Sequence, residues 1–103
     1  MTNQTERIEL IYPRITKSYA RSLIIEEKII SDEDMLVTVC IVKLKNGHRI
    51  VTDAIVANKA AFDSKRGVIV ARRKAIEEII RLELYLLRQK KYERSLEGDT
   101  DAN

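Results

Sequence analysis

The chain has one cysteine, one proline, one histidine, one phenylalanine and no tryptophan in 103 residues. The lone Cys40 cannot close an internal disulfide, which fits a reducing compartment. With a single His and a single Cys, a zinc site lacks ligands, so neither metal nor cofactor is expected. No run approaches the ~18 consecutive apolar residues of a membrane span. The polar stretch 1–7 lacks the apolar segment of a signal peptide, so a cytoplasmic location is expected. There is no phosphate-binding glycine loop, since Gly67 stands alone. Catalytic groups are equally scarce. His48 sits beside a turn with no acid or nucleophile in sequence reach, and Cys40 reads as a small core residue in mid-strand. Glu77 and Glu78 are consecutive on a helix and point about 100° apart, so they form no metal pair. The chain is therefore expected not to be an enzyme.

What it does have is charge, about a third of all residues, with a net +3. The segment from Glu97 to Asn103 holds three acids and no base, so residues 1–96 carry +6. Such an excess suits an anionic partner. The bases fall in three groups: Arg14, Lys17 and Arg21; then Lys65, Arg66, Arg72, Arg73 and Lys74; then Arg88, Lys90 and Lys91. The last group also complements the dipole at a helix C-terminus.

The apolar pattern implies an α+β fold in one domain over 8–94, between a frayed 1–7 and a disordered acidic tail, 95–103. Ile8–Tyr12 reads as an extended arm or edge strand. Pro13 keeps Tyr12 out of the helical region, and Thr16 then caps a first helix running to about Ile30. Met35–Lys45 is rich in β-branched residues and reads as a strand. Asn46-Gly47 signals a two-residue hairpin turn, with His48–Val56 returning. That turn pairs Val42 with Val51 and Cys40 with Asp53, and places Val51 and Ile55 on the face of Cys40 and Val42. Asp63 caps a long helix whose face carries Gly67, Ala71, Ala75, Ile79, Leu82 and Leu86. Gly67 in the first turn costs about 1 kcal/mol relative to Ala, so something there needs the missing side chain. Apolar residues on both hairpin faces and two sides of the helix predict a homodimer, through the hairpin or the Gly67/Ala71/Ala75 stripe.

Several residues in this order resemble a family of small tailed-phage proteins named for phage gene products forty-nine and sixty-six. They are Pro13-Arg14, Thr38-Val39-Cys40, Leu44-Lys45-Asn46-Gly47, Val51-Thr52, Phe62-Asp63, Gly67, Ala71, Ala75, Leu82-Glu83 and Tyr85-Leu86. The match covers roughly Tyr12 to Tyr92. His48 stands where that family usually has an aromatic. Asp53-Ala54-Ile55 replaces its Gly-Glu-Ser, and Ile80-Arg81 replaces its Trp-Pro, which leaves a helix break at that point open. The pattern is also similar to phage anti-Thoeris proteins, which sequester cyclic ADP-ribose signals made by host defence enzymes. That resemblance implies a non-enzymatic sponge, with Phe62 stacking on a base and Arg14 and Arg88 clamping the anion. Two other functions remain open. One is a phage protein that blocks a host protein through an exposed face. The other is a small nucleic-acid-binding protein using Arg72, Arg73 and Lys74; the acids Glu77, Glu78 and Glu83 on the same helix weigh against it.

Overall fold

A computed structural model describes residues 15–101. The readings that fall on 1–14, namely the frayed start, the Ile8–Tyr12 arm and the clamp Arg14, lie outside the described residues. The order of elements is helix α1 (Lys17–Ser22), strands β1 (Ile24–Asp32), β2 (Val37–Leu44) and β3 (Arg49–Ile55), a 3-10 turn (Lys59–Ala61) and helix α2 (Ser64–Asp101). The strands form one antiparallel sheet in the order β1-β2-β3, and α2 crosses one face of it. The α+β architecture expected from the sequence is what forms.

Local caps place the helices where the sequence signals them. Thr16 Oγ1 accepts the Tyr19 amide at 3.0 Å. Asp63 Oδ1 accepts the amides of Lys65 and Arg66 at 3.0 and 3.3 Å, satisfying two donors that the first turn of α2 leaves without helical partners.

The first helix is much shorter than expected. It ends at Ser22, and Ile24–Asp32 is a strand rather than helix. Tyr19, Leu23, Glu27 and Ile30 fit a helical period. However, Ile24, Ile25, Ile29 and Ile30 are β-branched, and β2 has a second edge to pair. With Glu27 opposite Val42 and Ile29 opposite Cys40, the inner face of β1 extends the core. Among the described residues the sheet is thus a three-stranded meander, not a lone hairpin.

The hairpin forms at Asn46-Gly47, but its loop has three residues. The Leu44 amide donates to the His48 carbonyl at 2.8 Å, and the Gly47 amide to the Leu44 carbonyl at 2.8 Å. Of Asn46 and Gly47, only Gly47 takes positive φ, at 89°, whereas a two-residue type I′ turn needs it at both central positions. Val42 therefore faces Ile50 and Cys40 faces Thr52, one position off the expected register. Because strand side chains alternate, this slip exchanges the faces of β3. Ile50 is buried, whereas Val51 and Ile55 are 65% and 71% exposed.

The core lies between α2 and the inner sheet face. It comprises Ala20, Cys40, Val42, Leu44, Ile50, Ala71, Ala75, Ile76 and Ile79. Ala71 and Ala75 are spent on the chain's own sheet, so that stripe is not free to bind a second copy. A Cβ at Gly67 would collide with Thr38, which explains the glycine. Helix α2 runs without a break through Ile80-Arg81 and continues to Asp101, through most of the segment expected to be disordered. It contains no proline, and Leu, Glu, Lys and Arg are good helix formers. At 38 residues it spans about 57 Å and sets the 65 Å long dimension of the molecule.

Candidate functional site

Helix α1 packs beside the middle of α2, and two basic groups that are far apart in sequence meet there. Lys17 and Arg21 lie four residues apart on one side of α1. Facing them, Arg72 and Arg73 rise from α2, with Ile69 and Ile76 as an apolar wall. These residues and Glu77 line a hollow of about 260 Å³. A second hollow of about 290 Å³ shares Arg21, Arg72 and Ile76 and is completed by Ile24, Glu27, Val42 and Ala75. Each alone falls just below the usual range for ligand clefts; side by side they form a groove with four cations and two acids.

The arginines of α2 are held differently. Arg72 Nε donates to both Glu27 carboxylate oxygens at 3.0 Å, and its terminal nitrogen adds a third contact to the same group. That hydrogen bonding pushes the guanidinium pKa above its ordinary value, and the charge of Glu27 adds to it. Among the described residues Arg73 pairs only with Glu77, at 3.9 Å. Lys17 and Arg21 pair with no acid among the described residues. Glu27 came from the segment read as part of the first helix; its inward direction follows from β1 being a strand.

Behind Glu27 lies Cys40, fully buried, its thiol directed at Glu27 Oε2 at 3.9 Å. Burial raises its pKa above the ordinary 9.0, and the negative charge of Glu27 raises it further. Burial of this kind disfavours the thiolate, which is the nucleophilic form. His48 lines another open hollow of about 410 Å³ with Arg81 and two acids that sequence proximity did not reveal, Glu77 and Glu78. Its imidazole makes no hydrogen bond to either glutamate, and Glu78 is bonded to Arg81 at 3.2 Å. Among the described residues, no three metal-ligating side chains gather, and no helix is long and apolar enough to cross a membrane.

Of the residues named for a sponge, Arg14 lies outside the described residues, and Phe62 and Arg88 stand apart within one chain. Phe62 is half-buried in the connector before α2. Arg88 is exposed on the distal part of that helix. The helix rise from Ser64 to Arg88 alone is about 36 Å. A pocket using both would draw them from two copies. The basic groove between α1 and α2 is what the fold itself assembles.

The family model described as phage protein (N4 Gp49/phage Sf6 gene 66) matches residues 14–91. No curated protein and no solved structure matches the chain.

Proposed function

The chain belongs to this phage family, and from that premise we propose that it is a non-enzymatic anti-defence protein. It binds and sequesters a small anionic nucleotide used as an immune signal, of the cyclic nucleotide or cyclic ADP-ribose class, in the cytoplasm of the infected bacterium. The observation that supports this reading is the groove between α1 and α2. Lys17 and Arg21 present charge there that no acid among the described residues pairs, Arg72 is fixed in place by Glu27, and Ile69 and Ile76 offer an apolar wall to a base. Cations of this kind pair with phosphate oxygens through charge-assisted hydrogen bonds. Both acids of the groove are engaged by arginines, Glu27 by Arg72 and Glu77 by Arg73, which favours holding a ligand over cleaving it.

A direct test uses extract from cells making the signal. The protein is added, removed by filtration and then heated. Loss of signal from the filtrate and its recovery intact from the heated protein support sequestration. Recovery of a hydrolysed product, or a filtrate whose signal is undiminished, contradicts it.

A second reading, the blocking of a host protein, is favoured by the outer sheet face. Ile30, Val51 and Ile55 are exposed there beside half-buried Val37, Val39 and Ile41. On this reading the protein inhibits defence without removing any small molecule, and Val51→Lys with Ile55→Lys abolishes inhibition. Nucleic-acid binding fits less well, because Arg72, Arg73 and Lys74 are each engaged by an acid, respectively Glu27, Glu77 and Asp53.

A further inference from the structure

The distal half of α2 stands clear of the sheet. Its buried residues end at Ile79, yet large apolar side chains continue beyond it: Leu82, Tyr85, Leu86, Tyr92 and Leu96 are between 38% and 72% exposed. Positions 82, 85, 89, 92 and 96 advance alternately by three and four, so they form one seam along the helix. Leu82, Tyr85, Gln89, Tyr92 and Leu96 read the same in both directions about Gln89. A stripe of this kind is complementary to itself when a second helix lies alongside it in reverse, which is the requirement of a two-fold interface.

We infer that this seam joins two copies of the chain in an antiparallel helix pair whose two-fold axis passes at Gln89. In that pairing Leu82 of one copy meets Leu96 of the other, and Tyr85 packs beside Tyr92. Gln89 faces Gln89. Its amide nitrogen already donates to Glu93 at 3.1 Å, leaving the carbonyl oxygen and the second amide hydrogen for the axis. At each end of the seam Arg81 comes opposite Glu97, an oppositely charged pair. The reversed direction also places the two globular bodies at opposite ends, where a parallel pair would crowd both sheets at one end. The seam is about 21 Å long, two heptads where stable coiled coils sustain three or more. The dimer is therefore concentration-dependent, and it does not depend on whether a nucleotide binds in the α1–α2 groove.

Sedimentation from low to high micromolar concentration should show a monomer passing to a dimer. Tyr85→Glu with Tyr92→Glu should remain monomeric with an unchanged circular dichroism spectrum, since both side chains are exposed. Cysteine substitutions test the direction, with the native Cys40 buried and out of reach. Under oxidised glutathione, two Gln89→Cys thiols at the axis should give up their protons and electrons and form a disulfide-linked dimer. Leu82→Cys alone should not link, whereas Leu82→Cys with Leu96→Cys should. A monomer at every concentration overturns the inference. Linking of Leu82→Cys as readily as Gln89→Cys overturns the antiparallel arrangement.

Discussion

Gly67 of α2 lies against Thr38 of β2 so closely that a β-carbon built on the glycine falls on the threonine hydroxyl and within 2.9 Å of Thr38 Cβ. Thr38 is 1% exposed, and its Oγ1 is hydrogen-bonded to Ser31 Oγ at 3.1 Å, so it has no free space to move into. This contact sets how near the first turns of α2 approach the sheet, and with them Arg72 and Arg73.

Gly67→Ala should therefore destabilise the protein, although Ala is the better helix former. The propensity gain of about 1 kcal/mol is outweighed by an overpacking cost of about 1–3 kcal/mol, leaving a net loss of up to about 2 kcal/mol. Urea unfolding measures it. Thr38→Ala, which removes the colliding hydroxyl, should recover part of the loss in the double variant. An alanine variant as stable as the parent would mean that the helix is not held at this distance.

Arg72→Ala should cost about 1 kcal/mol, the scale of a partly exposed ion pair with good geometry. It leaves Glu27 facing Cys40 without its cation. Arg72→Lys keeps the charge but not the forked contact to both carboxylate oxygens, so it should restore little. A double-mutant cycle with Glu27→Gln reads the coupling; full rescue by lysine would contradict the geometry.

The buried thiol gives a pH dependence of defined sign. In the folded protein the Cys40 pKa is raised above 9.0 by burial and by Glu27. As pH rises past about 9, the unfolded chain loses the thiol proton first while the folded chain retains it, so stability falls. Below the unfolded pKa this contribution is complete. Cys40→Ala should remove the alkaline slope due to this group. The difference between parent and variant stability should be flat up to neutral pH and should narrow above it. A constant difference from pH 7 to 10 would show that the thiol is not shielded in the fold.

The parts of the fold legible in sequence are those fixed by short-range chemistry. Thr16 and Asp63 cap helices through amides two or three residues away, and Asn46-Gly47 turns the chain where it stands. The strand β1 was hidden because its four isoleucines satisfy a helical and a strand reading alike; the free edge of β2 decides between them. The register of β3 depended on one loop residue, Lys45, and that residue moved Ile50 inward and Val51 outward. The groove was visible only in pieces. Lys17 and Arg21 formed one basic group and Arg72 and Arg73 another, about fifty residues apart. Only the packing of α1 on α2 joins them, and only β1 as a strand delivers Glu27 to Arg72.

Titration calorimetry of the intact chain with a panel of cyclic nucleotides and ADP-ribose isomers tests the central claim most directly, in parallel with Lys17→Ala/Arg21→Ala. Both lysine and arginine are exposed, so the variant should melt at the parent's temperature. The account predicts that a member of the panel binds the parent and that the variant binds it at least tenfold more weakly, about 1–3 kcal/mol for the lost charge-assisted contacts. Absence of binding across the panel, or a variant that binds as tightly as the parent, would contradict it.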